Sequence, residues 1–168
     1  MILRIFCFAL LSLCLSTTAR AEALPEPKGQ VLLTVSGSIE KRNAKQIAIF
    51  DRDMLLDLPV TQFETTTIWT DGLQSFSGVS LHDLKEQIGM DGETLIASAI
   101  NDYSVEIPLS DAKEGGPIIA YLRNGTEMSV RSKGPLWIVY PYDTVPEYRS
   151  ETIYSRSIWQ LDRLEVIK

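Results

Sequence analysis

Short segments rich in β-branched and aromatic residues, each bounded by turn residues, run through most of this 168-residue chain. Segments of this kind predict strands. The predicted strands cover residues 30–39, 46–50, 61–69, 95–100, 103–107, 118–122, 127–131, 136–140 and 157–167. Because strands and helices do not alternate regularly, the pattern favours a β-rich α+β domain over a doubly wound sheet.

Two short helices are predicted between these strands. Asp51 is placed to cap the first helix, which ends before Pro59. Ser80 is placed to cap the second, with an acidic residue three positions later, and Gly89 ends it. Turns are predicted at Asp71-Gly72, after the strand at 61–69, and at Asn124-Gly125, where the dipeptide favours a type I′ hairpin.

The N-terminal residues are typical of a secretory signal peptide. Arg4 supplies a positive charge, an apolar run follows at 5–15, and Ala19-Arg20-Ala21 is a small-residue cleavage site. The apolar run is too short for a stable membrane span. We therefore expect a periplasmic protein without direct membrane insertion, made of a signal peptide at 1–21, an extended leader at 22–29 and one domain at 30–168.

Cysteine and charge exclude several classes of function for the expected mature chain of 147 residues. Cys7 and Cys14 both fall within the signal peptide, so disulfides, thiolate metal ligands and cysteine nucleophiles are excluded. His82 is the single histidine, and we expect neither a zinc site nor a Ser-His-Asp triad. Removing two signal-peptide arginines leaves 14 basic and 22 acidic residues, a net charge of −8, which argues against nucleic acid as a partner.

Asn101, Asp102 and Tyr103 lie together at a junction between two predicted strands. A carboxylate beside an amide and an aromatic ring suits a planar heterocycle that presents paired N–H groups. The alternative is an Asx-type turn followed by a core tyrosine. The residues alone leave both interpretations open.

Two later segments carry further candidates. Tyr140, Tyr142 and Asp143 lie at the end of the strand at 136–140, where binding groups often sit, although a packed strand with a rigid exit explains them equally. Arg156 is a candidate clamp for a carbonyl or an anion. The alternative is that it is a solvated surface arginine. Trp159 is either a stacking platform or a core residue.

Five segments in a fixed order resemble the oxidoreductase molybdopterin-binding domain of the sulfite oxidase fold. They are FSGVSLHDLKEQIG (76–89), NDYSVEIP (101–108), IIAYLRNGTEM (118–128), GPLWIVYPYD (134–143) and IWQLDRLEV (158–166). The resemblance covers most of residues 61–166. More closely, the chain is similar to the small exported, stand-alone version of that domain, the pterin-binding proteins of the PruR type.

The resemblance implies a non-catalytic regulatory protein that binds a free reduced pterin. Its implied partner is the periplasmic region of a membrane-bound diguanylate cyclase or phosphodiesterase, which makes or degrades cyclic di-GMP. Catalytic members of the larger family hold molybdenum through one cysteine, and Thr65, Thr66 and Thr67 occupy that place here. A hydroxyl cannot replace a soft thiolate at molybdenum, so we expect no molybdenum and no enzyme activity.

The predicted pterin contacts are based both on the residue patterns and on this resemblance. A carboxylate, from Asp102 or Asp143, is expected to accept the amino group and ring N–H, and Arg156 to reach the ring carbonyl. The full set of candidates is Thr67, Trp69, Asn101, Asp102, Tyr103, Tyr140, Tyr142, Asp143, Arg156 and Trp159. Two alternatives remain at this point: a molybdopterin-dependent oxidoreductase subunit, and an interaction protein with a vestigial pocket.

Overall fold

The computed structural model describes residues 23–168, so the predicted signal peptide and Glu22 lie outside the described residues. The helices are α1 (Arg52–Leu56), α2 (Leu81–Ile88) and α3 (Glu151–Arg156). The strands are β1 (Val31–Gly37), β2 (Ala48–Asp51), β3 (Val60–Thr67), β4 (Thr70–Ser80), β5 (Thr94–Ala99), β6 (Ser104–Pro108), β7 (Ile118–Arg123), β8 (Thr126–Glu127), β9 (Trp137–Val139) and β10 (Leu161–Ile167). In this described range, no helix has the length and apolar character needed to cross a bilayer.

The strands form two five-stranded sheets. The first has the order β2-β1-β10-β5-β6, with β1 and β10 parallel and the other pairs antiparallel. The second has the order β3-β4-β7-β8, and β9 also pairs with β7. One hydrophobic core joins the sheets, since Leu33 and Leu164 of the first belong to the same buried cluster as Phe76 and Ile119 of the second. The predicted β-rich α+β architecture is confirmed.

Side-chain caps define where the two predicted helices begin. The Asp51 carboxylate accepts the N–H of Met54 at 3.0 Å at the start of α1. At the start of α2, the Ser80 hydroxyl accepts the N–H of Asp83 at 2.8 Å. Gly89 ends α2 with a left-handed φ of 65°, which glycine adopts without steric cost. Both predicted helices and their caps are confirmed.

The third helix, α3, lies where the sequence pattern predicts no helix. Ser150 caps it by accepting the N–H of Ile153, and the predicted strand at 157–167 begins only at Leu161. The segment contains Thr152, Ile153 and Tyr154, which have higher strand than helix propensity. Tertiary contacts and the serine cap override that local preference.

The turn between β3 and β4 is also displaced from its predicted position. Ile68 and Trp69 form the turn, whereas Asp71-Gly72 lies within β4, in the irregular stretch between Thr70 and Gln74. The Thr67 hydroxyl closes the turn by accepting the N–H of Trp69 at 3.1 Å and meeting the Thr70 hydroxyl at 2.8 Å. The predicted type I′ turn between β7 and β8 is confirmed, with both central residues at positive φ.

Asp51 gives the fold a defined response to acid. Its buried carboxylate accepts backbone N–H groups of Met54, Lys28 and Gly29, and these bonds, chiefly the one from Met54, hold the pKa of Asp51 below its ordinary value of 3.8. A lowered folded-state pKa means that the stabilisation is complete above 3.8 and is lost as pH falls through the folded-state value.

The Asp51→Asn variant is therefore expected to lose less stability than wild type as the pH falls, because asparagine still caps a helix but does not titrate. Denaturant unfolding of wild type and variant, between about pH 7 and about pH 2, measures the difference. Asp53→Asn, at an exposed position in the same helix, serves as the control for removing a carboxylate from α1. Parallel profiles for Asp51→Asn and wild type would contradict this role.

A candidate ligand-binding cavity

A cavity of about 450 Å³ opens where the β3–β4 turn, the β5–β6 turn and the segment after α3 meet. Its aromatic lining residues are Trp69, Tyr103, Tyr154 and Trp159. Its polar lining residues are Asn101, Ser155, Ser157 and Gln160, and Ala99 and Ile158 complete the wall. None of these side chains carries a formal charge. The cavity therefore suits an uncharged aromatic group with a polar edge.

Trp69 is the centre of the aromatic cluster that forms one wall. Its ring centroid lies 5.6 Å from that of Trp159 and 5.8 Å from those of Tyr154 and Trp137, with every pair arranged edge to face. Such pairs contribute about 0.5–1.5 kcal/mol each beyond their burial. The two-residue turn and these contacts together fix the orientation of the indole.

Trp159 is held by a cation as well as by its aromatic neighbours. The Nζ of Lys133 lies 3.9 Å from the Trp159 ring centroid. This is a cation–π contact, and Lys133 is not one of the residues that line the cavity. Burial, with Arg123 nearby, lowers the pKa of Lys133. The lysine thus supports the cavity-lining indole from outside the binding space.

Buried hydrogen bonds fix the wall around Ser157. The Tyr142 hydroxyl donates to Ser157 Oγ at 2.6 Å, and Ser157 Oγ donates to the Ile153 carbonyl at 2.8 Å. Trp137 Nε1 donates to the Ser157 carbonyl at 3.1 Å. Burial raises the pKa of Tyr142 to about 12, so this phenol stays protonated across the physiological range. Tyr142, a predicted ligand contact, instead supports the wall from the core.

Tyr140 and Arg156 form a separate polar cluster with Asp111. The Tyr140 hydroxyl and Arg156 Nη1 both donate to Asp111 Oδ2, at 2.8 and 3.0 Å. Burial and the Asp111 carboxylate raise the pKa of Tyr140. Neither residue lines the cavity. The predicted roles of Tyr140 as a stacking platform and of Arg156 as a carbonyl clamp are not supported by this geometry, because both are engaged elsewhere.

The two predicted carboxylates also lie outside the cavity lining. Asp102 is exposed at a positive φ of 66° and pairs with Arg163 Nη2 at 2.6 Å. Asp143 accepts the backbone N–H of Thr66 at 2.6 Å and its hydroxyl at 2.9 Å, and it also pairs with Arg149. The Thr66 N–H, first among these contacts, lowers the pKa of Asp143. Both acids therefore pair with protein groups, and neither lines this cavity.

Four of the ten predicted contacts line the cavity, namely Trp69, Asn101, Tyr103 and Trp159. The hydroxyl of Thr67, another predicted contact, is used to close the β3–β4 turn. Four further lining residues are not predicted from the sequence, namely Tyr154, Ser155, Ser157 and Gln160. In a continuous strand at 157–167, alternate side chains would point away from the cavity. In the structure, α3 and the loop after it bring these four side chains to one wall of the cavity. The Ser150 cap is the signal that reveals α3.

Comparison with known proteins identifies the fold. No family model and no curated protein matches the chain. Among solved structures, the chain is similar to the sulfane dehydrogenase SoxCD from Paracoccus pantotrophus, with a TM-score of 0.60 and 18% sequence identity over 80% of this chain. The match covers only 37% of the SoxCD chain, just over a third of its length. The likeness shows the fold alone, and the predicted β-rich α+β fold of the sulfite oxidase type is confirmed.

Proposed function

We propose that this chain is an exported, non-catalytic pterin-binding protein, and that the ring binds in the cavity lined by Trp69, Tyr103 and Trp159. The observation that carries the proposal is the convergence of four aromatic and four neutral polar side chains on one cavity of about 450 Å³. A pterin is a flat bicyclic heterocycle with a polar edge. Stacking of such a ring on an aromatic side chain contributes about 1–3 kcal/mol.

Side-chain amides replace the predicted carboxylates as the groups that recognise the pterin edge. Asn101 and Gln160 both line the cavity. An amide presents a donor and an acceptor side by side, which complements the adjacent carbonyl and N–H of a pterin. Gln160 Nε2 also donates to the Val130 carbonyl at 2.8 Å, so its orientation is set before the ligand binds. Neutral recognition of this kind avoids burying an unpaired charge.

The donor set at Thr65, Thr66 and Thr67 does not fit molybdenum. Thr65 is fully buried, and its hydroxyl accepts the N–H of Asp143 at 3.1 Å. The hydroxyls of Thr66 and Thr67 bond to Asp143 and Thr70. Residues 23–168 contain no cysteine, and these hard hydroxyls, already engaged with the protein, are poor substitutes for a thiolate. We therefore propose ligand binding without molybdenum chemistry.

The proposed regulatory role follows from the resemblance of the five ordered segments. In this role the pterin-loaded chain acts on the periplasmic region of a membrane-bound diguanylate cyclase or phosphodiesterase. The competing proposal, a molybdopterin-dependent oxidoreductase subunit, predicts stoichiometric molybdenum in the purified protein. Elemental analysis of protein produced with molybdenum in the medium separates the two, and a one-to-one metal content would contradict our proposal.

Thermal unfolding of residues 22–168 tests pterin binding. A ligand that binds only the folded state stabilises it by about 2.7 kcal/mol at a concentration 100 times Kd. We expect tetrahydropterin, kept under anaerobic conditions, to raise Tm with increasing concentration. An unchanged Tm at millimolar tetrahydropterin, dihydropterin and oxidised pterin, in protein with the expected circular dichroism, would overturn the proposal.

A further inference from the structure

A second cavity, of about 430 Å³, lies beside β3 and shares no lining residue with the first. Gln62 and Phe63 of β3 form one side of it. His82, Glu114 and Pro141, from α2 and two loops, contribute to the other side. The cavity is therefore a groove next to a strand rather than a part of the aromatic cavity.

β3 is an edge strand of the second sheet. Within residues 23–168, β4 lies on one side of β3 and no strand pairs with its other side. Ser75 of β4 is the register partner of Glu64, and its N–H and carbonyl both bond to Asn124 on the side away from β3. The backbone groups of Glu64 therefore face away from β4, as does the N–H of Thr66, which bonds to the Asp143 carboxylate. Since alternate residues of a strand direct their backbone groups the same way, Gln62 and Glu64 present N–H and carbonyl groups to this open edge.

We propose that this edge binds an extended, basic segment of a partner protein, which adds to β3 as a further strand. An unpaired edge supplies the main-chain hydrogen bonds of such binding, and an adjoining groove receives alternate side chains. Phe63 provides an apolar contact within the groove. This surface is independent of the proposed pterin site.

Charge identifies the kind of segment. Asp83 and Glu114 line the groove, and the lining includes no lysine or arginine. A third carboxylate, on exposed Glu64, lies on β3 itself. Lysine or arginine side chains on the added strand would pair with these carboxylates. A second copy of the chain is disfavoured, because it would bring another Glu64 to the same edge and because the chain as a whole carries a net negative charge.

Synthetic peptides of eight residues, the length of β3, test the proposal. The probes are an alternating Lys-Val peptide, its Glu-Val counterpart and a Lys-Val peptide interrupted by proline. We expect the Lys-Val peptide alone to slow hydrogen exchange at the Gln62 and Glu64 amides. Protection by the Glu-Val or proline peptide to the same degree, or none by any peptide, would overturn the proposal. So would protection that rises with protein concentration in the absence of peptide.

Two variants at Gln62 isolate the backbone contribution. Gln62→Pro removes the outward N–H without removing a bond to β4, whereas Gln62→Ala retains that N–H; both lose the side-chain bond to Ser75. We expect Gln62→Pro to weaken Lys-Val peptide binding by about tenfold relative to Gln62→Ala, as loss of a strand hydrogen bond predicts. Equal affinities would contradict strand addition.

A peptide modification provides the same test in the wild-type protein if Gln62→Pro does not fold. Methylation of alternate backbone nitrogens of the Lys-Val peptide removes its own N–H groups on one side. Methylation of the peptide nitrogens that face β3 is expected to abolish the protection of the Gln62 and Glu64 amides from hydrogen exchange. Methylation of the nitrogens that face away from β3 is expected to preserve it. Equal protection by both methylated peptides would overturn the proposal.

Discussion

Trp137→Ala is expected to lower the free energy of unfolding by about 3–5 kcal/mol, the usual cost of deleting a large buried aromatic side chain. Trp137 is fully buried, and its ring packs edge to face against Trp69, Phe76 and Trp159. The substitution also removes the donor to the Ser157 carbonyl and leaves a buried acceptor unpaired. Denaturant unfolding monitored by circular dichroism measures the change.

Leu73→Ala is the control for Trp137→Ala, since Leu73 is 57% exposed and its truncation should change stability by no more than about 0.5 kcal/mol. Trp137→Phe is expected to fall between wild type and the alanine variant because it keeps a ring but loses the indole N–H. A Trp137→Ala protein within about 1 kcal/mol of wild type would show that the aromatic cluster does not organise this core.

Trp159→Ala is expected to weaken pterin binding by about 5- to 150-fold, which corresponds to the loss of one stacking platform. The ring lines the cavity and is oriented by Trp69 at 5.6 Å and by the Lys133 ammonium at 3.9 Å. Isothermal titration of a tetrahydropterin into folded wild type and variant, under anaerobic conditions, measures the ratio of the two Kd values. Trp159→Phe is expected to recover part of the lost affinity.

Phe63→Ala is the matched control for Trp159→Ala. Phe63 is also a half-buried aromatic residue on a cavity, but it lines the groove beside β3. We expect it to leave the pterin Kd within about twofold of wild type, since it cannot reach the ring. Equal losses from Phe63→Ala and Trp159→Ala would indicate general destabilisation and would contradict the assignment of the ring to the aromatic cavity.

The features predicted correctly from the sequence are those set by local chemistry. Asp51 and Ser80 cap helices through groups three residues away, and the Asn124-Gly125 turn needs only two residues that tolerate positive φ. Apolar alternation likewise locates most strands, because one face of each strand is buried. Information of this kind is contained within a few neighbouring residues.

The contacts that the sequence does not reveal join residues far apart in the chain. Asp102 pairs with Arg163, 61 residues later, and Asp143 bonds to Thr66, 77 residues earlier. A carboxylate near aromatic residues is predicted as a ligand contact, because the sequence does not show that a distant residue already pairs with it. The sequence likewise does not show that the Tyr140 hydroxyl bonds to Asp111 or that the Tyr142 hydroxyl bonds to Ser157.

The side-chain NMR signals of the three tryptophans test the central claim most directly. Trp69 and Trp159 line the aromatic cavity, whereas Trp137 is buried behind them with its Nε1–H bonded to the Ser157 carbonyl. On titration of wild-type protein with a tetrahydropterin, we predict saturable shifts of the Trp69 and Trp159 indole N–H signals and a smaller shift of Trp137. Unchanged Trp69 and Trp159 signals at saturating pterin, or shifts confined to the groove beside β3, would contradict binding of a pterin in this cavity.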